Sequence, residues 1–286
     1  MERDPQLPRG EMNSLTHDHQ SRRDPQTRRY RAIFISDVHL GTRACQAEAL
    51  LDFLKHHEAD TLYLVGDIVD FWRLRRGPVW PQSHNDVLQK LLRKARKGTR
   101  IMVIPGNHDE ALRDYCGTRF GGIEIVRDCL HTTAAGRRLL VLHGDEFDVV
   151  VRYARWLALL GDRSYELALR LNAPLNWLRR HLGWGYWSLA AYLKYRVKSA
   201  VAFIGEFEHA LSEEARRRGA DGVVCGHIHH AADRDIGGLR YLNCGDWVES
   251  CTALVEEVNG EIRVVRWAPG ASASSSSAGL GERVAA

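Results

Sequence analysis

The chain has 286 residues, of which 44% are hydrophobic and 27% charged, and these values are ordinary for a soluble globular protein of one large domain or two small ones. It has no run of about 18 apolar residues, which argues against a transmembrane helix. The net charge of +4 is too small to indicate a partner by itself.

The two ends of the chain differ in composition from the rest. Residues 1–28 are rich in Arg, Asp, Gln and Pro and predict a disordered tail, while residues 268–286 are rich in Ala, Ser and Gly and predict a flexible one. The domain therefore spans residues 29–267. The first residues lack the apolar core of a secretory signal, and the six cysteines include no Cys-x-x-Cys pair. Together these features predict a cytoplasmic protein with free thiols.

Strands and helices alternate along the first half of the chain. Apolar runs predict buried strands, and apolar residues at helical spacing predict helices. The predicted elements are a strand at 30–35, a helix at 46–57, a strand at 61–65, a helix at 85–96 and a strand at 101–104. This alternation is typical of an α/β fold.

The second half predicts further strands around a long helical insertion. Strands are expected at 123–126, 131–133, 138–142, 222–225, 241–246, 253–258 and 261–267, with a helix at 206–218. Residues 147–205 look helical throughout and interrupt the strands, which predicts a helical cap inserted into the domain.

Five of the apolar strands end in a small residue and a side chain that can bind a metal. Ligands tend to bind at the carboxyl edge of such sheets, so we expect these side chains to meet. They are oxygen and imidazole donors without cysteine, which suits Mn²⁺, with Fe²⁺ and Zn²⁺ as alternatives, better than Ca²⁺. The predicted metal ligands are Asp37, His39, Asp67, Asn107, His143, His227 and His229.

Seven ligands are too many for one ion and suit two, provided that one carboxylate, for which we choose Asp67, bridges them. Such a pair activates water and clamps phosphate oxygens in phosphoryl chemistry. His108 adjoins a ligand without being needed as one and is the candidate proton donor, with Asp109 to orient it. Supporting roles are predicted for Asp70, Asp145, Asp246 and His230, and surface or helix positions for His56, His57, His84 and His131.

These motifs together resemble the calcineurin-like metallophosphoesterases. The family series of Asp-x-His, Gly-Asp, Gly-Asn-His-Asp, His and Gly-His-x-His is matched by segments 37–39, 66–67, 106–109, by His143 and by segment 226–229. The resemblance covers about residues 30–266. It implies a β-sandwich flanked by helices, a dinuclear metal centre and hydrolysis of a phosphoester or pyrophosphate.

Within that family the chain is most similar to the UDP-2,3-diacylglucosamine diphosphatases of lipid A synthesis. The similarity rests on segments 36–41, 66–72 and 143–145 and on the helical insertion that follows. It implies hydrolysis of a UDP-sugar lipid to UMP and a lipid phosphate at the inner membrane. One position departs from the group, because its characterised members carry Arg in Gly-Asn-Arg-Asp where this chain has His108.

The insertion has a composition of its own. Residues 151–200 carry nine basic and two acidic residues, a net charge of +7, together with four tryptophans. Basic and aromatic residues on helices suit an anionic membrane surface. The alternatives are a cap that packs its aromatics on itself and, less favoured, single-stranded nucleic acid.

Three functions remain open from the sequence. The first is hydrolysis of a UDP-sugar lipid, and the second is the same chemistry on a soluble phosphodiester or nucleotide. The third is a non-catalytic scaffold, which is disfavoured because none of the expected ligands is missing.

Overall fold

The computed structural model describes residues 27–147 and 204–268. Twelve strands are formed in this part of the chain. They are β1 (Arg28–Ile35), β2 (His57–Val65), β3 (Arg100–Ile104), β4 (Arg119–Phe120), β5 (Ile123–Ile125), β6 (Cys129–Thr132), β7 (Arg138–Val141), β8 (Gly222–Cys225), β9 (Ala232–Ile236), β10 (Leu239–Asn243), β11 (Thr252–Glu256) and β12 (Ile262–Arg266).

The helices are α1 (Ala47–His56), α2 (Phe71–Arg76), α3 (Gln82–Arg96) and α4, which covers residues 204–217 of the described chain. Two short 3₁₀ turns, Glu110–Tyr115 and Asp145–Phe147, follow β3 and β7.

The strands form two sheets. One has the order β12-β11-β1-β2-β3-β5-β4, and the other has the order β6-β7-β8-β10-β9. Strands β1, β2 and β3 are parallel neighbours in the first sheet, and β7 and β8 are parallel neighbours in the second. The carboxyl ends of these parallel strands therefore lie at common sheet edges, as we predicted from the polar residues that follow them.

The central strands of each sheet are buried on both faces. Successive residues of a strand point to opposite faces, so in β1 Phe34 joins the cluster between the sheets and Ile33 joins the cluster beneath α1 and α3. A third cluster packs Phe207 and Leu211 of α4 against the outer face of the second sheet. The fold is thus a β-sandwich flanked by helices, and this confirms the predicted fold class.

Some elements differ from the expectations. Strand β2 begins at His57, four residues before the predicted start, and α2 and β9 were not predicted. Strand β9 has three consecutive exposed polar residues, Asp233, Arg234 and Asp235. The chain turns after it at Gly237 and Gly238, both of which have positive φ. An apolar run was therefore the wrong signal for this edge strand.

Three of the histidines predicted at surface or helix positions are buried. His84 lies on helix α3, as predicted, whereas His57 and His131 lie in strands. The Nε2 atom of His131 lies 2.7 Å from a carboxylate oxygen of Glu256, and Nδ1 of His84 accepts from the Gly41 N–H at 3.1 Å. The rings of His84 and His131 therefore form structural hydrogen bonds with residues that are not predicted metal ligands.

The predicted cap falls almost wholly on residues 148–203, and both predicted tails lie largely outside the described residues. The domain boundaries and the cap therefore stay predictions. Among the helices of the described residues, none combines the length and the apolar character that crossing a bilayer requires.

Replacing a side chain between the sheets tests this layered packing. Leu254 of β11 is fully buried, and we expect Leu254→Ala to lower the free energy of unfolding by about 3 kcal/mol because it leaves a cavity. Leu92→Ala is the matched control, because Leu92 is 49% exposed and should change stability by less than about 1 kcal/mol. Urea unfolding measures both values, and equal losses would contradict the assigned core.

Candidate metal centre

The loops after β1 and β2 run side by side and bring their polar residues together. The backbone N–H groups of Val38 and His39 both donate to the carbonyl of Asp67, at 3.0 and 2.9 Å. From the second sheet, the His227 N–H donates to Oδ2 of Asp37 at 2.9 Å. Side chains from both sheets therefore converge on one place.

The backbone at these positions has an unusual conformation. Six non-glycine residues in the described chain have positive φ, and the only one outside the predicted ligands is Cys251. Side-chain crowding makes this left-handed conformation uncommon and costly, and it concentrates at functional sites. The other five are Asp37, His39, Asp67, His227 and His229, with φ between 52° and 71°.

Three overlapping groups of side chains can each hold a metal ion, with ligand atoms within 4.8 Å of one another. The first group shares His39 with the second, and the second shares Asp67 with the third. The groups are Asp37, His39 and His229; His39, Asp67 and His108; and Asp67, His143 and His227. Asp67 thus lies between two sets of donors, which is the position a bridging ligand requires.

Distances around Asp67 show how the shared carboxylate is placed. Its Oδ2 lies 3.7 Å from Nε2 of His39, and its Oδ1 lies 3.6 Å from Nε2 of His143. The two oxygens therefore face opposite halves of the site. On the far side of the first half, Nε2 of His229 lies 3.1 Å from Oδ1 of Asp37.

The ring of His143 is held in a defined orientation. Its Nδ1–H donates to the carbonyl of Val65 at 2.9 Å, so that Nε2 faces Asp67. Burial lowers the pKa of His143, but the carboxylates of Asp67 and Asp37 outweigh burial and raise it to about 10. The field that holds a proton on this ring also favours a divalent cation there.

The carboxylates of the site are ionised for the same reason. Burial raises the pKa of Asp67, yet His143 and His39 lower it to about 2. Burial likewise opposes ionisation of Asp37, but His229, His143 and His39 hold its pKa well below the usual range. The site therefore concentrates buried negative charge among imidazole rings, as a cation site requires.

One buried acceptor in the site, Oδ1 of Asn107, lacks a hydrogen-bond partner among the described residues. Buried polar atoms without partners are rare in folded proteins, so this oxygen needs an explanation. Coordination of a metal ion supplies one. The donor set and this oxygen thus fit the divalent ions that the strand ends predicted.

Asp70 has a larger role than its sequence position indicated. Its Oδ2 lies 3.3 Å from Nδ1 of His39 and 3.0 Å from Nδ1 of His108, while Oδ1 caps α2 by accepting from the Arg73 N–H at 2.7 Å. Burial raises the pKa of Asp70, but the bonds to both rings and to the helix hold it well below the usual range. One carboxylate thereby orients two imidazoles.

Asp109 does not have the orienting role predicted for it. Its carboxylate accepts backbone N–H groups from Gly106, at 2.6 Å, and Ile68, at 2.8 Å, and so ties the loop after β3 to the loop after β2. The carboxylate beside Nδ1 of His108 is that of Asp70. Sequence adjacency suggested Asp109, whereas the side-by-side loops bring Asp70 to the ring.

The remaining polar residues at strand ends are structural. Asp145 forms an ion pair with Arg113, with oxygens 2.6 and 2.7 Å from Nη2. Asp246 accepts the backbone N–H groups of residues 248–250 and so closes the loop between β10 and β11. His230 is exposed and belongs to none of the three groups.

Glycines leave room for the converging side chains. A Cβ atom on Gly106 would overlap Oδ1 of Asp67 and the ring of His143, and one on Gly226 would overlap the Ser36 hydroxyl and lie 2.6 Å from Oδ2 of Asp37. These glycines precede predicted ligands because the backbone must pass this close to the next loop.

Comparison with known proteins agrees with this architecture. The family description "Calcineurin-like phosphoesterase" matches residues 30–231. A UDP-2,3-diacylglucosamine hydrolase of Neisseria meningitidis serogroup B is 26% identical over 222 residues, covering 76% of this chain and 89% of the relative. One of Azotobacter vinelandii is 29% identical over 235 residues, covering 75% and 90%.

Among solved structures, an archaeal phosphodiesterase aligns with a TM-score of 0.41 and 13% identity, covering 82% of this chain and 98% of that one.

Filling the space at Gly106 tests the geometry of the site. We expect Gly106→Ala to weaken Mn²⁺ binding by about 10–100-fold, because the methyl group must displace Asp67 and His143. Gly205→Ala is the control, since a methyl group there has no described atom within 4 Å. Calorimetric titration with Mn²⁺ measures both, and unchanged affinity in Gly106→Ala would contradict the assignment.

Proposed function

Because the chain belongs to the calcineurin-like phosphoesterase family and is a hydrolase, we propose that it cleaves the pyrophosphate of UDP-2,3-diacylglucosamine or of a related UDP-sugar lipid. The products would be UMP and a lipid phosphate. The reaction would take place at the cytoplasmic face of the inner membrane. The observation that carries the proposed chemistry is the shared Asp67 between two groups of metal-capable side chains.

The predicted ligands divide into two sets around Asp67. Asp37, His39 and His229 would hold one ion, and Asn107, His143 and His227 the other, with Asp67 common to both. Mn²⁺ is the proposed metal, with Fe²⁺ and Zn²⁺ as alternatives of similar ligand preference. A bound pair of such ions supplies an activated water and neutralises charge on the phosphate oxygens.

His108 is the proposed proton donor to the leaving oxygen. Its Nδ1 lies 3.0 Å from Asp70, and its backbone N–H donates to Oδ1 of Asp67 at 2.8 Å, so the ring is fixed beside the bridging carboxylate. The ring is buried, and its Nε2 lies 3.9 Å from Oδ2 of Asp67, toward the site. Asp70 stabilises the charged imidazolium before the proton is transferred.

The lipid substrate is supported by the names of the relatives. Hydrolases named for UDP-2,3-diacylglucosamine align with about three quarters of this chain and nine tenths of their own length. The basic and aromatic composition of residues 151–200 adds an argument from sequence, because cationic segments with tryptophans suit anionic lipid. The same argument supports a peripheral position on the membrane, and no feature favours nucleic acid over lipid.

A second candidate is the same hydrolysis on a soluble phosphodiester or nucleotide. The observation that favours it is His108, which stands where the characterised lipid A diphosphatases carry arginine. An arginine can hold a phosphate but is always charged, whereas an imidazole can give up a proton. An imidazole at this position suits a substrate whose leaving group needs a proton. The substrate that the protein turns over therefore separates the two candidates.

The substrate assay decides between these candidates. We expect the Mn²⁺-loaded protein to release UMP from UDP-2,3-diacylglucosamine, detected by chromatography. Asp67→Asn should abolish release, because the bridging charge is lost while asparagine still tolerates the positive φ. Metal-free Asp67→Asn should still unfold in one cooperative transition, while the stabilisation by Mn²⁺ should be lost.

Turnover of simple phosphodiesters without UMP release would replace the first candidate by the second. Full activity of Asp67→Asn on any phosphodiester would contradict the proposed metal centre.

The role of His108 is tested with two leaving groups. For a phosphodiester that releases an alkyl alcohol, we expect His108→Gln to reduce kcat by about 10²–10⁴-fold, because the alkoxide needs a proton. For bis(p-nitrophenyl) phosphate the loss should be much smaller, since p-nitrophenolate leaves without one. Equal losses on both substrates would indicate that His108 positions substrate instead of donating a proton.

A further inference from the structure

Helix α2 lies at the rim of the candidate metal centre. It begins directly after Asp70, and the ring of Trp72 lies 4.4 Å from the ring of His108, centroid to centroid. Trp72 is nevertheless 41% exposed. Its Nε1–H donates to the Glu110 carboxylate at 3.4 Å, which fixes the indole across the rim.

The exposed side of α2 surrounds this tryptophan with positive charge. Arg75 and Arg76 follow Trp72 by three and four residues, so they share its side of the helix, and Arg73 is exposed beside them. Phe71, Leu74 and Arg75 line a shallow, largely apolar depression together with Ala111. We call Trp72, Arg73, Arg75 and Arg76 the rim surface.

The three arginines of α2 are not held by acidic side chains. Several other exposed arginines of the described chain are, as in Arg29 with Asp60, Arg127 with Glu146 and Arg217 with Glu214. None of the three on α2 forms an ion pair with a described residue. Three unpaired positive charges near an exposed tryptophan are complementary in charge to a surface of phosphate groups.

The combination has a known physical use. Tryptophan is enriched at the headgroup level of membranes, because its ring is apolar and its N–H is polar. Long arginine side chains bury their stems and place their charges among lipid phosphates. The rim surface offers both within one short helix, next to the place where a phosphoester would be hydrolysed.

We propose that the rim surface docks the protein on an anionic phospholipid bilayer, with the opening of the metal centre turned toward the headgroups. This inference deepens the proposed membrane location, and it does not depend on which phosphoester is cleaved. The rim surface consists entirely of described residues of helix α2. Tryptophan between arginines also suits single-stranded nucleic acid, which becomes an outcome of the test.

Sedimentation with vesicles tests the docking. The intact Mn²⁺-loaded protein should bind vesicles of phosphatidylcholine with 30% phosphatidylglycerol and should bind pure phosphatidylcholine weakly. Each basic residue near such a surface contributes about fivefold to binding, so Arg73→Gln/Arg75→Gln/Arg76→Gln should weaken binding by roughly 100-fold. The corresponding triple lysine variant keeps the charge and should retain binding.

The matched control removes three charges from another exposed helix end. Arg93, Arg96 and Lys97 lie at the end of α3, next to the start of β3 and so at the sheet edge opposite the metal centre. None of them forms an ion pair with a described residue, and their triple Gln variant should bind as the wild type does.

Hydrolysis of bis(p-nitrophenyl) phosphate in solution should be unchanged in all three variants. Binding losses without loss of this activity would support the rim surface. An equal loss of vesicle binding in the α3 control, or a wild-type protein that does not bind anionic vesicles, would overturn the inference. Either result would leave the hydrolase proposal intact. If the triple Gln variant of α2 lost binding to an oligothymidine but kept binding to vesicles, the proposed partner of the rim surface would be nucleic acid instead of a membrane.

Discussion

The ring of His39 lies among three buried carboxylates, and the rest of the site depends on that contact. Its Nε2 lies 3.9 Å from Asp37 and 3.7 Å from Asp67, while its Nδ1 lies 3.3 Å from Asp70. Buried carboxylates this close destabilise one another unless positive charge or N–H groups stand between them. Imidazoles from both sheets meet this need, and they leave donor atoms where divalent ions would add further positive charge.

Holding these groups together imposes a strained backbone. Left-handed conformations at non-glycine residues such as Asp37 and His227 each cost on the order of 1–3 kcal/mol. The sandwich can bear this cost because the loops brace one another, as where Asp109 accepts backbone N–H groups of the neighbouring loop. The buried central strands of the two sheets provide the rigid support that keeps the ligand geometry defined before any metal binds.

Helix α2 connects the chemistry with the surroundings of the protein. Its cap, Asp70, orients His39 and His108, and its exposed side carries Trp72 between arginines. A substrate that is both a phosphoester and a lipid needs these two environments side by side. The short distance between them follows from the fold, since the helix starts in the same loop that delivers Asp67.

The sequence alone determined which residues end the strands and which donor chemistry they carry. Apolar runs identified β1, β3, β7 and β8, because strands buried on both faces read as continuous apolar segments. The motif spacing then indicated the family and the donors. The sequence patterns did not predict the polar edge strand β9 or the short helix α2. The residues of these two elements form no apolar run and no long helical period.

Only the tertiary structure decided which partner each donor has. Asp109 is next to His108 in sequence but binds backbone N–H groups, while Asp70, 38 residues before His108, reaches its ring. Likewise, the position of Asp67 between two sets of donors depends on the pairing of β2 with β3 and on the stacking of two sheets. Local sequence fixes where side chains leave the backbone, and long-range packing fixes what they meet.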